Sequence, residues 1–282
     1  FVVGSVLGGG NAVGVRFSNR ELEPLWGAGL RFAFAALVLL AIGTALKIPR
    51  PQGRQAVGAA IYGLLNFAAA FAFAYYGLQK VHAGFGQILL STVPLATILL
   101  AVLERREAFR WAALIGGLIA VAGVIVMSPA ALDESVPVLS ILAMLGASLC
   151  FAQAAIVIGW FPRVHPVHLN TYGMATGALA LFLGSFLAGE VHDVPELGST
   201  WVALGYLVFI GSVVVFVLYV YVIENWGASR ASYALVLVAP FTVVFSWWLL
   251  DEPVGWSLLA GGALVLLGVY VGALRRKAVA PS

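Results

Sequence analysis

The chain has 282 residues, of which 62% are hydrophobic and 10% charged, with a mean hydropathy of +1.02. Soluble domains carry about 25% charged residues, so a water-facing globule of this size is excluded, and a net charge of +3 is no nucleic-acid signal. The single cysteine, Cys150, excludes an internal disulfide and any cysteine-cluster metal site.

The apolar residues fall in long blocks of the length a bilayer core demands, about 20 residues per spanning helix. In chain order they predict spans at 2–18, 25–47, 55–77, 83–103, 109–128, 137–159, 167–189, 200–224, 230–250 and 255–274. The first block shows no basic n-region and nine more apolar blocks follow it, so it reads as a span rather than a signal peptide. The connectors are short and hold most of the charges and several prolines, among them Pro49, Pro51, Pro137, Pro162, Pro166 and Pro195. The expected fold class is therefore an all-α polytopic membrane protein of ten transmembrane helices.

Loop charge predicts the orientation, because Lys and Arg concentrate on the cytoplasmic side. With the N-terminus inside, the inward connectors and tail hold Lys47, Arg50, Arg54, Arg105, Arg106, Arg110, Arg163, Arg230, Arg275, Arg276 and Lys277, whereas the outward loops hold Arg16, Arg20 and Lys80. The last three outward loops are acidic or neutral, with Asp133 and Glu134, then Glu190, Asp193 and Glu196, then Asp251 and Glu252. Both termini are expected in the cytoplasm.

The two halves repeat. At an offset of 146, Pro94 falls on Pro240, Tyr75 on Tyr221 and Leu89 on Leu235. At an offset of 145, Glu107 meets Glu252, Trp111 meets Trp256, Gly116-Gly117 meets Gly261-Gly262, and Gly123 meets Gly268, while Pro24 meets Pro166 at 142. The expected repeats are residues 1–132 and 133–282, five spans each. An odd span number turns the second copy upside down, an arrangement found in secondary transporters, with the substrate site near the midplane between the repeats.

The segment Pro24 to Leu37, PLWGAGLRFAFAAL, resembles the second helix of EamA-type proteins of the drug/metabolite transporter superfamily. The pattern Pro94, Glu107, Trp111, Gly116-Gly117, Gly123 and its copy from Pro240 to Gly268 is similar to the same family, and the likeness runs through the whole chain. Within the family the overall likeness is to YddG-type aromatic amino acid exporters. The resemblance implies a central cavity, alternating access and residence in the bacterial inner membrane.

Polar side chains in mid-span are the candidate pathway, since each is costly against lipid and usually faces the protein interior or a wet cavity. The repeat register pairs Asn11 with Gln153, Asn66 with Ser212, and Gln87 with Tyr233. Gln87, Ser91 and Pro94 share one helical face by their spacing. Tyr75 and Tyr219 complete the candidate cavity set, and Tyr76 and Tyr221 also lie where a ring could meet an aromatic ligand. Each of these could equally serve as an interhelical hydrogen bond or packing contact. Pro94 and Pro240 are candidate hinges, because a proline removes a helix hydrogen bond and clashes with the preceding turn; a static kink is the competing reading. The Gly pairs are expected to serve close packing.

Arg31 is the one charge clearly within a span. It is expected to snorkel outward or to pair with a helix-end carbonyl, as a structural anchor rather than a clamp for a substrate carboxylate. Trp26, Trp111, Trp201 and Trp256 lie near predicted span ends, as in interfacial belts.

No Asp or Glu occupies the middle of a predicted span, so coupling through a midplane carboxylate is not expected and facilitated export down a gradient is. Intramembrane enzyme motifs are lacking, and no metal or other cofactor is expected. The expected function is export of an aromatic or hydrophobic amino acid, or a related metabolite, by a monomer, with a dimer as the alternative. The alternatives are export of other small metabolites or drugs, or a channel or scaffold.

Overall fold

A computed structural model describes residues 2–105, 111–131, 137–226 and 233–271. Their regular structure is all helical, without strands among the described residues. The helices are α1 (Val2–Ser18), α2 (Pro24–Ala45), α3 (Arg54–Gly77), α4 (Ala83–Leu103), α5 (Trp111–Ala131), α6 (Val138–Trp160), α7 (Pro166–Ala188), α8 (Gly198–Trp226), α9 (Tyr233–Leu250) and α10 (Trp256–Val269). Six of them are long and apolar enough to cross a membrane: α2, α3, α4, α6, α7 and α8, the last counted from Gly198 to Asn225. In hydrocarbon every backbone group must find its partner within the protein, which a helix does by itself.

Local chemistry sets several boundaries. Pro24 and Pro166 open α2 and α7, where the missing N–H would have had no helical partner. Gly189 closes α7 in the left-handed conformation, with φ 71°, as a residue without Cβ does readily. Lys47, Arg105 and Asp251 take positive φ just past the ends of α2, α4 and α9. Lys47 and Gly189 stand 142 positions apart, and Arg105 and Asp251 146 apart, matching offsets of the sequence register.

Two helices widen into π turns, α3 over Leu64–Ala69 and α8 over Phe209–Val214. α4 is interrupted at Ser91 and Thr92 and resumes at Val93, so Pro94 sits in the first turn of its second piece. There the ring has no continuous ladder to break. Pro240, by contrast, lies inside an unbroken α9.

α2 packs on α7, α5 on α10, and α4 on α9; α1 packs on α8 and α9, and α6 on α3 and α4. The α5–α10 contact rests on glycines. A Cβ on Gly123 would lie 2.6 Å from the Gly261 carbonyl oxygen, and one on Gly268 would lie 2.5 Å from that of Gly116. Small residues let backbones approach this closely, which is how helices gain packing energy in lipid. Outward-facing side chains such as Leu37, Leu183, Leu187, Val202 and Trp248 are exposed, an apolar surface of the kind a bilayer covers. Trp111, Trp201 and Trp256 are exposed at the starts of α5, α8 and α10.

Candidate functional site

A cavity of about 350 Å³ lies among α1, α2, α3, α4, α6, α8 and α9, within the range of small-ligand sites, about 300–1,000 Å³. Its wall is mostly apolar, with Phe71 of α3, Phe151 of α6 and Phe216 and Tyr219 of α8. These rings pack edge-on: Phe71 lies 5.3 Å from Phe151 and 5.9 Å from Phe216 between centroids, arrangements that favour the ring quadrupole. The wall runs from Gly4 and the exposed Tyr221 and Asn225 at one end to the buried Val15 and Leu78 at the other. The space therefore opens where α1 begins and α8 ends.

Arg31 lines this cavity and is 0% exposed. Snorkelling is thus not what the side chain does. Its Nε donates to Ser212 Oγ at 2.8 Å, and its Nη2 donates to Asn11 Oδ1 at 2.9 Å and to the Gly211 carbonyl at 3.1 Å. Gly211 lies inside the π turn of α8 rather than at a helix end; the shift in backbone register there leaves a carbonyl available to the guanidinium. An Arg at a helix centre costs roughly 2.5–3.5 kcal/mol on insertion scales, and hydrogen bonds to a charged group contribute about 1.5–3 kcal/mol each. Three such bonds offset the cost. The guanidinium carbon also stands 5.0 Å from the Phe32 ring centre and 4.9 Å from that of Phe71, close enough for cation–π attraction. Nη1 is buried as well, and the Tyr75 hydroxyl lies against the guanidinium.

The other candidate residues spread over three situations. Asn11, Gln87 and Tyr219 lie on the cavity wall. The Gln87 amide donates to the Leu235 carbonyl at 3.5 Å, tying α4 to α9, and the Tyr219 hydroxyl is buried without a partner. Ser212 and Tyr75 stand one layer behind: Ser212 holds Arg31, and the buried Tyr75 hydroxyl lies against the guanidinium, within reach of a side-chain hydrogen bond to it. Asn66, Ser91 and Gln153 are not on the wall. Asn66 is buried with its amide nitrogen unpartnered, Ser91 donates to the Gln87 carbonyl, and Gln153 donates to Glu104 at 2.8 Å. Tyr233 opens α9, but its side chain lies outside the described residues. Phe71, Phe151 and Phe216 were not singled out in the sequence, because nothing separates a cavity-facing Phe from a lipid-facing one there.

The opposite end of the cavity is closed. Arg16 of α1 pairs with Glu252 at 3.4 Å and donates to the carbonyls of Leu78 and Gln79. Glu252, 6% exposed, accepts the N–H groups of Ala83 and Gly84 at 3.0 and 3.4 Å. It thereby caps α4, whose first N–H groups have no helical acceptor and favour a negative charge. Two further carboxylates act alike on the same face. Glu190 accepts the N–H groups of Leu25 and Trp26 at the start of α2, and Glu21 accepts those of Glu196 and Leu197 and the Thr200 hydroxyl at the start of α8. The Thr200 hydroxyl bond, with help from the two backbone N–H groups and against partial desolvation, holds the Glu21 carboxyl below its ordinary value.

The EamA-like transporter family matches this chain twice, over residues 1–128 and 138–273. An uncharacterized transporter of Archaeoglobus fulgidus is 26% identical over 93% of this chain and 93% of its own length. YedA, an uncharacterized inner membrane transporter of Escherichia coli, is 28% identical over 92% of this chain and 83% of its own. A WAT1-related chloroplastic protein of Arabidopsis thaliana is 25% identical over 89% of this chain and 64% of its own. One solved crystal structure superimposes with a TM-score of 0.68 at 19% identity, covering 97% of this chain and 95% of that one, a likeness of fold. With apolar helices, a walled central cavity and a family match over nearly its whole length, the chain belongs to the EamA-like transporter family.

Proposed function

We propose that this chain is a secondary transporter that exports an aromatic or hydrophobic amino acid, or a related metabolite, across the bacterial inner membrane by alternating access. The observation that carries this reading is the cavity itself. It is walled by Phe71, Phe151, Phe216 and Tyr219, reaches Arg31, and is open at one end while Arg16 and Glu252 close the other. A carrier needs such a one-sided site, and the closed end disfavours a channel. The likeness to YddG-type exporters and the aromatic lining support the substrate class; other small metabolites or drugs would keep the mechanism and change the cargo.

In this reading all the helices α1 to α10 span the membrane, as repeats 1–132 and 133–282 of opposite orientation. The double family match, the left-handed helix ends at offsets of 142 and 146, and the reciprocal Gly123–Gly261 and Gly268–Gly116 contacts support it. The loop charges support cytoplasmic termini, so the cavity faces the cytoplasm, the loading side for an exporter. Pro94 and Pro240 act as hinges, and the interruption of α4 beside Pro94 favours that role for the first. The described wall carries no Asp or Glu, which favours facilitated diffusion.

The test is reconstitution of the purified protein in liposomes, with labelled Phe, Tyr, Trp, Leu, Met and Thr, each with and without a pH gradient. Movement of the aromatic amino acids down their gradients is expected, unaffected by pH. Transport of none of the six would overturn the amino acid reading, and uphill accumulation driven by the pH gradient would overturn facilitated diffusion.

A further inference from the structure

Arg31 is sealed within the protein, and Asn11 carries its influence to the cavity. The guanidinium is 0% exposed, its partners Ser212 Oγ, Asn11 Oδ1 and the Gly211 carbonyl are neutral, and the Tyr75 hydroxyl lies against it. Asn11, by contrast, is half-buried and lines the cavity. Its amide orientation is fixed, because Oδ1 accepts from Arg31 Nη2 at 2.9 Å and the nitrogen must then be the other branch. Nδ2 has no hydrogen-bond partner among the described residues and, unlike the amide nitrogen of Asn66, is not buried. It is a free N–H2 donor on the cavity wall. An amide whose oxygen is bonded to a cation is polarised into a stronger donor, so this neutral side chain presents a positive potential to the cavity.

Gln87 of α4 is its complement. It lines the same cavity, and its Nε2 turns to the Leu235 carbonyl at 3.5 Å, the outer limit of a hydrogen bond. Its Oε1 accepts no hydrogen bond among the described residues and is not one of their buried unpartnered atoms. α9 places the two amides at neighbouring levels: Gly8, one turn before Asn11, faces Val238, and Gln87 reaches the carbonyl one turn before Val238. The other amide of the wall, Asn225, is exposed at the mouth, and the described wall has no carboxylate. Phe71, whose ring centre is 4.9 Å from the guanidinium carbon, stands on the same wall.

We infer that Asn11 and Gln87 form the subsite for the two charged main-chain groups of a free α-amino acid, Asn11 donating to the carboxylate and Gln87 accepting from the ammonium. Hydrogen bonds of this kind, with one charged partner, are about twice as strong as neutral ones. The ligand class is a zwitterion with an apolar side chain, which falls among the phenylalanines, rather than an acid or an amine alone. This rests on the cavity being an amino acid transport site, and it narrows the cargo to molecules that carry both charges.

The test uses the purified, full-length protein in detergent and three ligands sharing one ring: phenylalanine, 3-phenylpropanoate, which lacks the ammonium, and phenethylamine, which lacks the carboxylate. Binding is measured calorimetrically, and transport of phenylalanine is measured separately in liposomes. Phenylalanine is expected to bind about tenfold more tightly than either half-ligand, the factor that corresponds to one hydrogen bond to a charged group. Asn11→Asp keeps the side chain's shape and gives Arg31 a carboxylate partner, but removes the N–H2 group; it is expected to weaken phenylalanine and 3-phenylpropanoate about tenfold and not to weaken phenethylamine. Gln87→Met, of similar length, removes the acceptor and is expected to weaken phenylalanine and phenethylamine but not 3-phenylpropanoate. If phenylalanine binds no more tightly than the half-ligands, if each variant weakens all three ligands alike, or if none binds, the subsite is overturned. Phenylalanine transport alongside any of those results leaves export standing and removes only the subsite. The expected binding pattern without phenylalanine transport leaves the subsite standing and removes export.

Discussion

Replacing Glu252 by glutamine removes a charge from the closed end of the cavity while keeping the side chain's shape. In the present structure that carboxylate meets Arg16 at 3.4 Å and the N–H groups of Ala83 and Gly84 at 3.0 and 3.4 Å. An anion at a helix start contributes about 0.3–1 kcal/mol, rising to about 2 kcal/mol when partly buried. The ion pair is worth up to about 1 kcal/mol at an exposed site, and here Arg16 is 26% exposed. The glutamine amide oxygen keeps one N–H contact, so the net loss is about 1–2 kcal/mol, which corresponds to a factor of about 5–30 in a two-state equilibrium. Because the closed end is what this contact stabilises, the population with that end open rises by that factor. Spin labels at Lys80 and Val254, both exposed on either side of the contact, would report it by electron–electron double resonance after Cys150→Ala. The expected result is growth of a longer-distance population in Glu252→Gln. Identical distance distributions in the parent and a folded variant would refute the gating argument.

Three further outcomes are expected. Gly123→Ala and Gly268→Ala each push a methyl group onto backbone across the α5–α10 crossing and should lower stability by about 1–3 kcal/mol; Gly117→Ala, which meets nothing within 4 Å, should leave the melting temperature in detergent unchanged. Gly211→Ala would set a methyl 2.1 Å from Asn11 Oδ1, displacing a partner of the buried Arg31, so stability in detergent should fall by about 1.5–3 kcal/mol, the contribution of one hydrogen bond to a charged group. The Glu21 carboxyl, held below its ordinary value mainly by Thr200, contributes stability that is present above the unfolded-state pKa of about 4.3 and lost as pH falls through the folded value; in Glu21→Gln that part of the acid dependence of the melting temperature should vanish.

Hydropathy decided the class and the helical character of this chain, because an apolar block of bilayer length has one way to satisfy its backbone in lipid. Each predicted block is helical over most of its described length, and Pro24 and Pro166 marked helix starts because a proline acts on its own backbone. Family membership was legible too, in the paired Pro, Glu, Trp and Gly positions. Arg31 was conspicuous as a charge in a span. Its fate was not legible, because its partners Asn11, Gly211 and Ser212 stand 20, 180 and 181 positions away, and only their convergence makes burial cheaper than snorkelling. The π turns of α3 and α8 were likewise invisible, since a change of backbone register leaves no residue pattern of its own. In the sequence Glu190 counted only as an acidic loop residue, Glu252 as that and as a member of the paired pattern, and Glu21 was not singled out. The tertiary structure made each the cap of a distant helix, because unpaired N–H groups at helix starts donate to a carboxylate from whatever segment packing brings there.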